Sequence, residues 1–83
     1  MHVQLELYAS LMRFLPPQAV RHRVGVEIES GSSVAALLER YQVPLEQAHL
    51  VLRNGVFLHP EERTRTLLQE GDVIAAWPPV AGG

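Results

Sequence analysis

The sequence predicts a small two-layer α+β domain, in which one helix packs on one face of a mixed sheet of about five strands. Three patterns predict this fold: segments that alternate apolar and polar residues, one segment with helical periodicity, and an Asn-Gly pair between two apolar runs. The 83 residues are enough for a single thin core. Because one helix covers only one face of a sheet, we expect the other face to be exposed.

The N-terminal part of the chain contains two alternating segments that predict a β-hairpin. Every second residue is apolar over residues 2–8, and the same period returns over residues 23–29. The inward-facing residues are Val3, Leu5, Leu7, Val24, Val26 and Ile28. The connection over residues 9–15 is apolar and is compatible with a short helical turn.

One helix is predicted after the turn residues Gly31 and Ser32. Ser33 is a suitable N-cap, because its side-chain oxygen can accept a hydrogen bond from a free backbone N–H. The next apolar residues follow the i, i+3, i+4, i+7 spacing of one helix face; they are Val34, Leu37, Leu38 and Tyr41. Pro44 is expected to stop the helix, because proline disfavours helical geometry in the preceding residue.

The C-terminal part predicts a second hairpin and a final strand. Asn54-Gly55 between the apolar runs 50–53 and 56–58 is a strong hairpin signal. Residues 60–69 form a charged connection, in which Leu67 and Leu68 are expected to enter the core. The charged residues of this connection are expected in solvent; they are Glu61, Glu62, Arg63 and Arg65. A turn at Glu70-Gly71-Asp72 leads into the strand 73–77.

The final strand is apolar on both faces, which predicts an exposed apolar patch. Ile74 and Ala76 point one way, while Val73, Ala75 and Trp77 point the other. Exposed apolar patches usually mark interfaces, where tryptophan is enriched. The candidate interface residues are therefore Val73, Ala75, Trp77 and, on the hairpin, Phe57. The alternatives are that Met12 or Phe14 folds over the patch, that Trp77 is a core aromatic, and that Phe57 belongs to an ordinary packed strand.

The last six residues predict a presented tail. They are Pro78, Pro79, Val80, Ala81, Gly82 and Gly83. The prolines disfavour continuation of the strand, and two glycines are thin and pliable enough to thread a narrow channel. We predict a folded domain over residues 1–77 and a flexible tail over residues 78–83. When extended, that tail spans roughly 20 Å, which is enough to reach a buried pocket of another protein.

Composition excludes several functions. The net charge of −2 provides no basic field for nucleic acid or an anionic membrane. Without cysteine, the chain has no disulfide, thiolate metal site or cysteine nucleophile. The four histidines show no ligand spacing, so no metal site is expected. No apolar run reaches the length of a membrane span and no signal peptide opens the sequence, so a cytoplasmic location is expected.

In its strand order, its Tyr8-Ala9-Ser10-Leu11 segment and its ending Trp77-Pro78-Pro79-Val80-Ala81-Gly82-Gly83, the chain resembles the ubiquitin-like sulfur carriers. These include the small subunit of molybdopterin synthase and the sulfur carrier of thiazole synthesis for thiamine. The resemblance covers nearly the whole chain and implies the ubiquitin-like β-grasp fold. The Pro-Pro-Val-x-Gly-Gly ending favours the molybdopterin branch. Ala76, where that branch often has an aromatic residue, and the hairpin at Leu52-Arg53-Asn54-Gly55 leave the other carriers open.

The resemblance implies a carrier rather than an enzyme, with no bound cofactor. A ubiquitin-activating-type partner would use ATP and magnesium to adenylate the carboxylate of Gly83. A persulfide donor would convert it to a thiocarboxylate, and the tail would deliver sulfur inside a large synthase subunit. Gly82, Ala81, Val80, Pro79 and Pro78 would thread that subunit. The alternatives of a different class are a protein modifier joined to targets through Gly83 and a β-grasp interaction domain whose tail does no chemistry.

Overall fold

The computed structural model describes residues 1–79, which contain one five-stranded sheet and one α-helix. The strands are β1 (His2–Leu7), β2 (Arg23–Glu27), β3 (Leu50–Arg53), β4 (Val56–Phe57) and β5 (Val73–Trp77), and the helix is α1 (Val34–Arg40). Short 3₁₀ segments occur at Ala9–Phe14, Leu45–Gln47 and Pro60–Glu62. The mixed sheet with one main helix confirms the predicted α+β class and the β-grasp fold. Among these residues, no helix is long and apolar enough to cross a membrane.

The last strand lies in the middle of the sheet, whose order is β2-β1-β5-β3-β4. β5 runs parallel to β1, with Leu5 opposite Ile74, and antiparallel to β3, with Val51 opposite Ala76. Both predicted hairpins form, because β1–β2 and β3–β4 pair antiparallel. Ile74 and Ala76 face the core beneath α1, and on the other face side chains from the two neighbouring strands flank β5.

The core lies between α1 and one face of the sheet. It contains the predicted inward residues of β1 and β2, together with Ile74 and Ala76 from β5 and Val34, Leu37 and Leu38 from α1. The prediction for the 60–69 connection is half wrong. Leu68 is buried, but Leu67 is 54% exposed, because consecutive residues of an extended segment point in opposite directions.

The two ends of α1 have separate physical causes. At the start, Ser33 Oγ accepts the N–H of Ala36 at 3.0 Å, as predicted. At the end, Gln42 adopts a left-handed φ of 61°, and the N–H of Val43 reaches the carbonyl of Leu38 at 3.1 Å. This is a Schellman-type cap. The helix therefore ends before Pro44, and the expectation that Pro44 stops it is wrong.

A buried carboxylate joins the second hairpin to the start of β5. The hairpin turn has positive φ at Asn54 and Gly55, 52° and 83°. Asp72 accepts hydrogen bonds from Arg53 Nε at 3.0 Å, Asn54 Nδ2 at 2.9 Å and the Gln69 N–H at 2.8 Å. Burial raises the pKa of Asp72, but these hydrogen bonds and the charge of Arg53 together hold the pKa below its usual value. Asp72 is thus more than the turn residue that the sequence suggests.

We predict that Asp72→Asn destabilises the domain by about 2 kcal/mol at neutral pH, because Arg53 and Asn54 lose a charged acceptor. Since the folded pKa of Asp72 is depressed, its contribution is present above its unfolded pKa, about 3.9, and is lost as pH falls through the folded pKa. The difference in the free energy of unfolding between the variant and the original chain should therefore shrink in acid. Urea unfolding across this range measures it, with Glu29→Gln on the exposed surface as the control. A difference that stays constant with pH contradicts the assignment.

Candidate functional site

Backbone hydrogen bonds on both sides of β5 fix its last two residues, Ala76 and Trp77. These residues are the root of the tail. The Tyr8 N–H donates to the Ala76 carbonyl at 3.1 Å, and the His49 N–H donates to the Trp77 carbonyl at 2.9 Å. Pro78 follows half-buried and Pro79 is exposed. The remaining predicted tail residues, Val80, Ala81, Gly82 and Gly83, lie outside the described residues. Their roles, and those of the two prolines, stay predictions.

Trp77 belongs to an aromatic stack beside the root of the tail. The rings of Tyr8 and Trp77 lie 4.3 Å apart and are parallel within 3°. His22 packs on Tyr8 with a ring separation of 4.5 Å and a tilt of 31°. The Tyr8 hydroxyl donates a hydrogen bond to Glu6 Oε1 at 2.8 Å. The stack therefore ties Trp77 to β1 and to the loop before β2.

The environment of Tyr8 raises the pKa of its hydroxyl above the usual value. Burial is the first cause that raises the pKa of Tyr8, and the hydrogen bond to Glu6 and the negative charge of Glu6 act in the same direction. Arg23 opposes the shift. A neutral Tyr8 can donate to Glu6 at physiological pH, so this hydrogen bond orients the ring on which Trp77 stacks.

The four candidate interface residues lie on the same, helix-free face of the sheet. Val73, Ala75 and Trp77 alternate along β5, and the register places Phe57 beside Leu52, which is opposite Ala75. Phe57 is 44% exposed, but Ala75 is only 7% exposed. The expectation of an open apolar patch is therefore wrong at Ala75, because larger side chains flank it in the register. The same face becomes polar across β1 and β2, at Gln4, Glu6, Arg23 and Glu27.

The residue that packs on Trp77 is not one of those that the sequence suggested. Phe14 packs against the core cluster and Met12 is exposed. Tyr8 stacks on Trp77 instead. The signal for Tyr8 is its place on the polar side of the alternating segment 2–8, but only the parallel pairing of β1 with β5 brings it to Trp77.

A buried arginine binds the 48–49 loop, whose His49 N–H donates to the Trp77 carbonyl. Arg63 was expected in solvent, but it is 4% exposed. Its Nη1 donates to the Ala48 carbonyl at 2.6 Å and its Nη2 to the His49 carbonyl at 3.3 Å. Burial lowers the pKa of Arg63, and the nearby charge of Glu61 opposes this. The expectation is wrong because the Ala48 and His49 carbonyls offer the guanidinium acceptors inside the fold.

The groups described above hold the end of β5 in place by stacking and hydrogen bonding. Within residues 1–79, no three His, Asp or Glu side chains gather in a way that suits a metal ion. His2 pairs with Glu27 at 2.7 Å, near the opposite end of β1 from the tail root. The described residues of the site are aromatic rings, backbone donors and Arg63.

The five-stranded mixed sheet with one main helix is the β-grasp fold of ubiquitin-like proteins. A profile described as the ThiS family matches residues 13–83, and the chain belongs to this family. No curated protein sequence gives a significant match.

Two solved structures share the fold over the full length of both chains. The crystal structure of SAMP1 from Haloferax volcanii is similar with a TM-score of 0.67 and 23% sequence identity. A chain in the complex of subunits 1 and 2 of the molybdopterin-converting factor from Helicobacter pylori 26695 is similar with a TM-score of 0.57 and 21% identity. In each pair the matched region covers 100% of both chains.

We predict that Tyr8→Ala shifts the fluorescence of Trp77 to longer wavelength, because the indole loses its stacked neighbour and gains contact with water. Trp77 is the sole tryptophan of the chain, so the emission reports this site alone. Tyr8→Phe is the matched control: it retains the stacked ring, removes the hydroxyl and should leave the emission nearly unchanged. Loss of the hydrogen bond to Glu6 should cost Tyr8→Phe about 1 kcal/mol in urea unfolding. Equal spectra for the two variants would contradict the stacked arrangement.

Proposed function

We propose that this protein is a sulfur carrier whose C-terminal carboxylate, on Gly83, is converted to a thiocarboxylate. The observation that carries the proposal is the ThiS family match, which extends through Gly83. The hydrogen bonds at the root of the tail support the proposal, because they give the tail a fixed starting point on the folded domain from which it can enter another protein. The chain provides the sulfur-bearing end, and its partners provide catalysis.

The proposed activation has two chemical stages. An adenylating enzyme of the ubiquitin-activating type uses ATP and magnesium to join AMP to the Gly83 carboxylate, with release of pyrophosphate. The terminal sulfur of a persulfide donor then attacks the acyl carbon and AMP leaves. A thiol reduces the resulting acyl disulfide, so the sulfur stays on Gly83 and the thiol is oxidised to a disulfide. The need for ATP and reducing thiols suits the cytoplasm.

The free face of the sheet is proposed as the docking surface for these partners. Trp77 and Val73 lie partly exposed on β5 with Ala75 shielded between them, and Leu52 lies between Ala75 and the exposed Phe57 in the register. An apolar surface of this kind, next to polar residues, is suited to reversible association. Trp77 also adjoins the root of the tail, so binding at this surface would direct the tail toward the partner's active site. Pro78 and Pro79 would set the direction of exit, and Val80, Ala81 and Gly82 would thread the channel of the partner.

Molybdopterin synthesis is the recipient pathway that we propose. Its support is the Pro-Pro-Val-x-Gly-Gly ending and the shared fold with a chain of the molybdopterin-converting factor complex. In this pathway the tail would enter a large synthase subunit and deliver its sulfur to a pterin phosphate. The ThiS family match favours a second candidate, sulfur delivery to thiamine thiazole synthesis.

Intact-mass measurement after co-expression with the cognate adenylating enzyme tests the carrier chemistry. We predict a mass gain equal to the replacement of one oxygen by sulfur. A variant that lacks Gly83 should show no gain, while Ala81→Gly, which leaves the final pair intact, should retain it. An unchanged mass in the presence of ATP and an active sulfur donor would overturn the proposal. Attachment to the lysines of other proteins without a thiocarboxylate would identify a modifier instead.

The recipient is tested separately with the thiocarboxylated protein. Incubation with a molybdopterin synthase large subunit and its pterin substrate should return the tail to a carboxylate and transfer the sulfur to the pterin. The parallel incubation with thiazole synthase and its substrates is the control. Transfer only in the thiazole reaction would reject the molybdopterin assignment and leave the carrier chemistry intact.

A further inference from the structure

One peptide group links Arg63 to the end of β5. The Ala48 carbonyl accepts from Arg63 Nη1 at 2.6 Å, and the N–H of the same peptide group, on His49, donates to the Trp77 carbonyl at 2.9 Å. A guanidinium at one end of such a series polarises the peptide group and strengthens the hydrogen bond at the other end. The charge of Arg63 therefore acts on the Trp77 carbonyl through the Ala48–His49 peptide group.

The hydrogen bond to the Trp77 carbonyl helps to set the direction in which the tail leaves β5. The following residue is Pro78, which has no backbone N–H and cannot extend the hydrogen bonding of β5. On the side of β3, the bond from His49 is the last backbone hydrogen bond to β5 within residues 1–79. If the Ala48–His49 peptide group rotates, this side of the root is released.

The backbone of Arg63 is itself attached to the helix. Its carbonyl accepts the Ala35 N–H at 2.9 Å in the first turn of α1, and its N–H donates to the Pro60 carbonyl at 3.3 Å. The guanidinium is therefore presented from a fixed base on the far layer of the domain. Arg63 therefore couples the end of β5 to α1 as well as to the neighbouring strands.

Stability alone does not account for an arginine at this position. Burial of a cation is costly, and apolar residues of similar volume are often as stable or more stable. Within the described residues, Arg63 Nε also has no hydrogen-bond partner. The gain from the guanidinium is the pair of hydrogen bonds to adjacent carbonyls, which fixes the orientation of the 48–49 loop.

We propose that Arg63 is a positioning residue for sulfur transfer, which fixes the tail root through the Ala48–His49 peptide group. This role rests on the proposed function, because it matters only if a partner acts on the tail. The first consequence is nevertheless independent of function: loss of the guanidinium should release the His49 N–H before it affects the rest of the sheet.

Amide hydrogen exchange tests this consequence in the free protein. In Arg63→Met, which retains the apolar bulk, we expect the His49 amide to exchange roughly tenfold faster. The Leu7 amide, which donates to His22 at 2.8 Å across the sheet, should stay close to its original rate. Arg63→Lys should restore part of the His49 protection, and Arg65→Met in the same loop is the exposed control. An equal loss of protection at His49 and Leu7 would indicate a general structural role and overturn the proposal.

Steady-state adenylation provides the second readout. Arg63→Met retains every side chain of the docking face, so KM for the carrier should stay within about twofold, whereas kcat should fall by about tenfold because the tail is misdirected. Arg63→Lys should recover part of kcat. A rise in KM with kcat unchanged, or no change in either parameter, would overturn the positioning role. If the original chain itself is not adenylated, the proposed function fails, whereas the His49 exchange result still decides the structural part of this inference.

Discussion

The parallel pairing of β1 with β5 is the constraint on which the rest of this structure depends. It places the last strand between the N-terminal hairpin and the β3–β4 hairpin, so both hairpins pair through β5 into one sheet. The Gln4 N–H donates to the Asp72 carbonyl at the start of this pairing, and the Tyr8 N–H donates to the Ala76 carbonyl at its end. The tail therefore leaves from the centre of the sheet, where its root has a neighbour on each side.

The two ends of β5 are held by different polar arrangements. At the start, the buried carboxylate of Asp72 joins the Asn54 turn to the strand. At the end, backbone donors from Tyr8 and His49 hold the last carbonyls, and a buried guanidinium supports one of them. Because buried polar groups are costly unless they are hydrogen-bonded, each arrangement has few alternative geometries. A strand fixed at both ends gives a tail a defined starting point.

Local patterns were sufficient for most of the fold. The alternation in β1 and β2, the Ser33 cap and the Asn54-Gly55 turn are properties of short segments, and the structure confirms each of them. Predictions that depended on the surroundings of a residue failed more often. The helix ends at a left-handed Gln42, Leu67 turns outward, and Arg63 turns inward. The helix end follows from a cap formed within its own last turn, and Leu67 from the alternation of an extended segment, whereas the burial of Arg63 depends on the distant carbonyls of Ala48 and His49.

For the candidate site, the sequence by itself determined the composition of the tail, the presence of Trp77 before it and the family to which the chain belongs. Only the tertiary structure decided what surrounds the root of that tail. Tyr8, His22, His49 and Arg63 come from four separate segments, and their meeting follows from the parallel register of β1 with β5 and the packing of α1 on the sheet. A sequence specifies side chains and their local periodicity, whereas contacts between distant segments arise from the balance of burial and hydrogen bonding over the whole domain.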